Sequence, residues 1–178
     1  GDGNNLVDVS GVTSYGDSIF SGTGNDTIVG FLGGAYNRGT ASYYATNYGN
    51  GYAGYFYLPG IVNAGDGNNY IKSSAASAFS AENVITGSGN DYIDVVGGRL
   101  DEYGSDTVFS GAGNDTVFAL QGNDEITGAA GDDVIYGGVG DDFGTGDTGE
   151  DQLFGGEGND SLFGGLDDDT VEGGEGDD

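Results

Sequence analysis

The chain has 178 residues, 40 of them glycine, and carries 30 acidic residues against 3 basic ones, for a formal net charge of −27. With no Cys, His, Met or Trp, it has no disulfide framework, no thiol nucleophile, no Ser-His-Asp triad and no imidazole- or thiolate-bound metal. The charge repels phosphates, so neither nucleic acid nor anionic lipid is an expected partner, and the absence of any apolar run near the roughly 20 residues of a membrane span argues against membrane insertion.

Glycine at this density in an acidic chain ordinarily gives disorder, because too little apolar surface is buried to offset chain entropy. An internal repeat of nine residues overturns that expectation. In chain order it begins with GDGNNLVD, where Asn5 stands at the sixth position, and continues in VTSYGDSIF (12–20) with Asp17 and SGTGNDTIV (21–29) with Asp26. Residues 30–63 break it. They hold 7 of the 12 tyrosines (Tyr36, Tyr43, Tyr44, Tyr48, Tyr52, Tyr55 and Tyr57), no Asp or Glu, and Arg38 as their one charge. The repeat resumes in AGDGNNYIK (64–72) with Asn69, weakens in SAFSAENVI (77–85) with Glu82, and is clear again in TGSGNDYID (86–94) with Asp91. Shorter inserts fall at 9–11, 73–76 and 95–100.

From 101 the frame is unbroken: DEYGSDTVF, SGAGNDTVF, ALQGNDEIT, GAAGDDVIY, GGVGDDFGT, GDTGEDQLF, GGEGNDSLF, GGLDDDTVE and GGEGDD. The sixth position is always Asp: Asp106, Asp115, Asp124, Asp133, Asp142, Asp151, Asp160, Asp169 and Asp178. The eighth is aliphatic (Val108, Val117, Ile126, Ile135, Leu153, Leu162, Val171) except at Gly144, and the fourth is Gly except at Asp167. The chain divides accordingly into an irregular part, 1–109, with the Tyr/Gly-rich excursion at 30–63, and a regular part, 110–178.

These nonapeptides resemble the glycine- and aspartate-rich calcium-binding repeats of the RTX family, GGxGxDxUx. The resemblance implies an all-β fold, a right-handed parallel β-roll with two nonapeptides per turn, stapled by Ca²⁺ and interrupted by inserts in its first half. Residue by residue, the first six positions should form a turn and the last three a short strand whose middle side chain points inward. Gly supplies positive φ cheaply, and the Asn and Asp at the fifth position should shape the turn through their tolerance of the left-handed region. Asp167 in place of Gly would either distort its turn or add a ligand.

One aliphatic per nine residues contributes ~1.5–3 kcal/mol, whereas ordering nine residues costs roughly 1–2 kcal/mol each. The core alone does not hold the coil. Calcium, which takes 6–8 oxygen ligands from carboxylates and carbonyls, is the cofactor expected to stabilise it. The family's geometry places ions between units two apart, which pairs 106/124, 115/133, 124/142, 133/151, 142/160, 151/169 and 160/178 and gives seven candidate sites. Asp91, Asp26 and Asp17 are candidate ligands upstream.

The tyrosine-rich excursion cannot build a calcium turn. It reads as an aromatic flap, as a contact with another subunit or domain through Tyr43, Tyr44, Tyr48, Tyr52, Tyr55 and Tyr57, or as a sugar-stacking site for glycans. The chain reads as a slice of a longer secreted bacterial protein, exported by a type I route to the cell surface or medium. Its expected role is structural, in a filament, surface layer or adhesin that self-associates. The alternative is a calcium-binding folding and secretion module of a larger enzyme or toxin. No catalytic residue is expected, because the carboxylates are already assigned to calcium by their register.

Overall fold

The computed structural model describes residues 3–8, 19–20, 22–30, 60–73, 82–95 and 105–178. Their strands are β1 (Leu6–Asp8), β2 (Ile19–Phe20), β3 (Thr27–Gly30), β4 (Gly60–Gly65), β5 (Tyr70–Ser73), β6 (Glu82–Thr86), β7 (Tyr92–Asp94), β8 (Thr107–Ala112), β9 (Thr116–Gln121), β10 (Glu125–Ala130), β11 (Val134–Val139), β12 (Phe143–Thr148), β13 (Gln152–Glu157), β14 (Ser161–Leu166) and β15 (Thr170–Glu175). Odd-numbered strands stack in one parallel sheet and even-numbered strands in a second. The chain crosses between sheets at each turn and returns one strand further on, which is a parallel β-roll, as the repeat implies. Among the described residues no helix is long and apolar enough to cross a membrane.

Register follows the nonapeptide. Val117 pairs with Ile135, Ile135 with Leu153 and Leu153 with Val171. On the opposite sheet Val108, Ile126, Gly144 and Leu162 form the matching series. Partners in this half are two repeats apart, so two units make one coil. Upstream, Ile28 pairs with Ile71, Ile71 with Ile93 and Ile93 with Val117. Inserts change the length of chain between partners but not which side chains share a column.

The strands of the regular half are six residues long, which corrects the expected six-residue turn and three-residue strand. Positions seven to nine and positions one to three of the next unit form one strand, and only positions four to six turn, as Gly122-Asn123-Asp124 does between β9 and β10. The ladder survives because the bend at position two is a single residue in the left-handed region. Ala129 has φ 87° there and still pairs with Gly111 and Asp147. Three side chains, Leu120, Ala129 and Asp147, occupy this position at φ 75–87°, whereas the position-two glycines of the regular half, Gly111, Gly138, Gly156, Gly165 and Gly174, lie at 103–124°. A Cβ excludes the wider angles, so these units bend more tightly. Asp167 also takes positive φ (83°) in place of Gly, and the β13–β15 register beyond it is intact. Its φ is well below the 130–153° of the position-four glycines from Gly113 onward, so the change is confined to the turn.

Two positions per unit face inward, not one. In β9 and β10, Val117 and Ala119, then Ile126 and Gly128, alternate inward with more exposed neighbours. The aliphatics of the two sheets, among them Ile28, Ile71, Ile93, Val117, Ile135 and Leu153 on one and Val62, Val84, Val108 and Ile126 on the other, form one buried core. At Gly144 the missing side chain is covered by its neighbours, since a Cβ there would lie 3.0 Å from Cδ2 of Leu162 and 3.7 Å from Cδ2 of Leu153.

Outside the odd-numbered sheet, aromatic rings stack along the coil axis: Tyr70 on Tyr92 (5.0 Å between centroids), Phe118 on Tyr136 (4.7 Å) and Tyr136 on Phe154 (4.9 Å), with Tyr92 tilted against Phe118 at 5.7 Å. Lys72 pairs with Asp94 beside them. That carboxylate hydrogen-bonds the ammonium and holds its pKa above the ordinary value.

Candidate metal centre

The three-residue turn decides where the sixth-position side chain goes. The turn leaves the backbone N–H of that residue without a strand partner, and a carboxylate one coil further along accepts it. Asp115 donates to Oδ1 of Asp133 (2.8 Å), Asp133 to Asp151 (2.8 Å) and Asp151 to Asp169 (3.0 Å). Along the other edge Asp106 donates to Asp124 (2.7 Å), Asp124 to Asp142 (2.8 Å), Asp142 to Asp160 (2.9 Å) and Asp160 to Asp178 (2.9 Å). All seven pairs picked out by register are therefore adjacent and bonded.

Upstream the first edge continues through Asn5, Asp26, Asn69 and Asp91, whose N–H groups reach Oδ1 of Asp26, Asn69, Asp91 and Asp115 at 2.7, 3.1, 2.7 and 2.7 Å. Asp26 and Asp91 thus stand where the sequence places them. The side chains at Asn5 and Asn69 are bonded differently. Nδ2 of Asn69 donates to the carbonyls of Gly65 (3.1 Å) and Gly67 (2.9 Å), and Nδ2 of Asn5 to that of Gly3 (2.6 Å). Asp17 and the tyrosines at 36, 43, 44, 48, 52, 55 and 57 lie outside the described residues.

The other carboxylate oxygen sets the chemistry. Oδ2 of Asp26, Asp124, Asp133, Asp142, Asp151 and Asp160 is buried and accepts no hydrogen bond. Burial drives Asp124, Asp133, Asp142, Asp151 and Asp160 upward in pKa, and the backbone N–H at Oδ1 only partly opposes it. Asp133 and Asp142 rise to about 7 and Asp124 to about 6. Asp115 rises to about 7 for the same cause, opposed by the Asp91 N–H and by the Ser110 hydroxyl. Asp151 and Asp160 shift the same way, as does Asp91, against the N–H of Asn69 and the Thr86 hydroxyl.

Position one is glycine beside Asp133, Asp142, Asp151 and Asp160, and the reason there is steric; Thr86, Ser110 and Ala119 hold it beside Asp91, Asp115 and Asp124. A Cβ at Gly146 would collide with Oδ2 of Asp151 and lie 2.7 Å from the Gly164 carbonyl oxygen. At Gly155 it would collide with Oδ2 of Asp160 and lie 2.5 Å from the Gly173 carbonyl oxygen. Each glycine keeps open a small space between a carboxylate oxygen and a carbonyl of the next coil. Hard oxygen donors that are buried, anionic and without a proton donor suit Ca²⁺, whose ligands lie at 2.3–2.6 Å. Among the described residues no group of three acidic side chains converges.

The family model for the RTX calcium-binding nonapeptide repeat matches residues 12–33, 102–126, 109–144 and 145–178, together more than half of the chain. The chain belongs to this family. Its nonapeptides are calcium-binding repeats. No curated protein and no solved structure matches the chain.

Sequence reasoning missed a second ladder. The fifth-position residues were expected to adopt the left-handed conformation, but positive φ falls at positions two and four. Their side chains instead accept the N–H of the fifth residue one coil on: Asn90 to Asn68 (2.9 Å), Asn114 to Asn90 (3.1 Å), Asp132 to Asn114 (3.2 Å), Glu150 to Asp132 (3.1 Å). The sixth-position ladder runs the opposite way, so each turn is tied to the coil before it and the coil after it. The signal was the recurrence of Asn, Asp or Glu at position five. The aromatic stack was missed as well, although Phe118, Tyr136 and Phe154 recur at every second unit.

Proposed function

We propose that this chain is a secreted, calcium-folded structural segment of an extracellular assembly, without catalytic activity of its own. The observation that carries the calcium part is the column of buried, hydrogen-bond-free Oδ2 atoms in stacked register. Carboxylates so placed are repulsive and desolvated in the absence of a cation. Asp106, Asp115, Asp124, Asp133, Asp142, Asp151, Asp160, Asp169 and Asp178 would hold the ions, in up to seven pairs, with Asp26 and Asp91 as further ligands. Bound calcium supplies the positive charge that these oxygens otherwise lack. The protein's own contribution is to stack the turns, hold Gly, Ala, Ser or Thr at position one beside Asp91 and the acids from Asp115 onward, and orient Oδ1 through the backbone ladder. Metal binding and folding are then one event.

The assembly part rests on composition. A chain of net charge −27 keeps its copies apart, and the tyrosine-rich stretch 30–63, with no acidic residue and Arg38 as its one charge, offers a contact surface of a different kind. A calcium titration from chelator to millimolar concentrations, followed by circular dichroism and hydrodynamic radius, tests the first part. A spectrum unchanged across it would refute calcium-coupled folding. Light scattering in calcium, with and without residues 34–57, tests the second. Oligomers that persist unchanged after the deletion would remove the tyrosine stretch from the contact.

A further inference from the structure

The two asparagines in the sixth-position column do what no aspartate there can. Oδ1 of Asn69 accepts the Asp26 N–H at 3.1 Å, the role of Oδ1 in every aspartate of the ladder. That bond fixes which terminal atom is oxygen. The other atom, Nδ2, takes the place of the aspartate Oδ2, and both its protons are used, on the carbonyls of Gly65 (position two) and Gly67 (position four) of its own turn. The side chain is 3% exposed. Asn5 repeats half of the arrangement: Nδ2 donates to the position-four carbonyl of Gly3 and also to Oδ1 of Asp26 (2.9 Å).

We infer that the carboxamide of Asn69 stands in for the cation, so that the turn 65–69 is closed without calcium. In an aspartate turn the equivalent oxygen has no proton to donate, and at Asp124, Asp133, Asp142, Asp151 and Asp160 it is buried without a hydrogen-bond partner, a position that a cation would satisfy. In the Asn69 turn the amide supplies two donors to the carbonyls of Gly65 and Gly67 and no negative charge. Ion-dependent and ion-independent turns therefore alternate along this edge: Asn5, Asp26, Asn69, Asp91. The irregular part of the roll is held partly by amides that work at any calcium concentration, and the regular part from 106 onward by carboxylates that do not. This rests on the reading that the aspartate Oδ2 atoms are calcium ligands.

The test exchanges the two chemistries in the full chain and counts ions. Calcium bound per chain at saturation is measured by equilibrium dialysis, with circular dichroism as the check on fold. Wild type must bind calcium, and its failure to do so would overturn the calcium reading before any variant is made. Asn69→Asp, which completes the stacked pairs 26/69 and 69/91, is expected to bind up to two more ions than wild type and to need more calcium to reach the β spectrum. Asp142→Asn, whose turn has Gly138 and Gly140 at positions two and four and which breaks the pairs 124/142 and 142/160, is expected to bind up to two ions fewer and still reach the wild-type spectrum in calcium. An unchanged count in folded Asn69→Asp overturns the inference while leaving the calcium reading intact. If Asn69→Asp does not fold, Asp142→Asn decides. An unchanged count, or failure to fold in calcium, means the amide cannot replace the ion.

Discussion

The backbone N–H of Asp124 lies 2.8 Å from Oδ1 of Asp142, eighteen residues away and one coil further along the roll. One aspartate oxygen is thus spent on holding the coils in register, and the other is left for the cation. Structural and ligating roles share a side chain at every sixth-position aspartate from 115 onward.

Asp142→Ala should cost more than Asp178→Ala. The first leaves the buried N–H of Asp124 without an acceptor, at about 1–3 kcal/mol, and removes a ligand shared by the pairs 124/142 and 142/160. Asp178 is exposed and belongs to one pair. Thermal melts at fixed millimolar calcium should show a loss of about 2–4 kcal/mol for Asp142→Ala and about 1 or less for Asp178→Ala. Equal losses would contradict the pairing.

Acid should favour the metal-free roll and oppose calcium. The folded-state pKa values of Asp115, Asp133 and Asp142 are raised to about 7 and that of Asp124 to about 6, from 3.8. The folded chain then binds more protons than the unfolded chain between pH 4 and 7, so this contribution is fully present below about pH 4 and lost as pH rises to about 7. In calcium-free buffer the β spectrum should be stronger at pH 5 than at pH 8. Calcium binding must displace those protons, so its apparent affinity should fall between pH 8 and pH 5, with proton release visible in calorimetry across buffers of different ionisation heat.

Gly140→Ala should disrupt the turn more than Ala129→Gly disturbs the bend. Gly140 has φ 134°, and a Cβ there would run into the Gly122 carbonyl of the preceding coil. Backbone on backbone cannot yield cheaply, so a loss of about 2–4 kcal/mol in calcium is expected. At Ala129, relief of left-handed strain and the added unfolded-state entropy of Gly are each about 1 kcal/mol and opposite in sign. Its melting temperature should stay within a few degrees of wild type.

Tyr136→Ala should lower stability without changing the ion count. Tyr136 stacks on both Phe118 and Phe154 outside the sheet, away from the aspartate edges. Two aromatic contacts at ~0.5–1.5 kcal/mol each set a loss of about 1–3 kcal/mol. Dialysis should return the wild-type number of calcium ions per chain.

The eighth-position aliphatics and sixth-position aspartates were legible in the sequence because each is a side-chain identity recurring at a fixed interval. From them came the coil, its two-unit period and the adjacency of pairs such as 133/151. The six-residue strands were not legible, because they depend on backbone bends at residues as different as Leu120, Ala129 and Asp147, which share a φ and no chemistry. The inward glycines at position one were visible as glycines, but their steric reason appears only when Oδ2 of Asp151 and Asp160 is seen leaning over Gly146 and Gly155. The asparagines at 5 and 69 looked like imperfect copies. Their amide bonds show a different chemistry for the same turn.

Ile28 and Ile71 are sheet neighbours although the whole tyrosine-rich stretch separates them in the chain. Phase in this molecule is kept by the coil and not by the residue count. Sequence can be gained or lost at that edge without shifting any downstream side chain from core to surface, an accident that a one-residue slip would cause in an ordinary strand. The column and whatever hangs from it are therefore free to evolve under separate selection, the first for metal and packing, the second for whatever it meets outside.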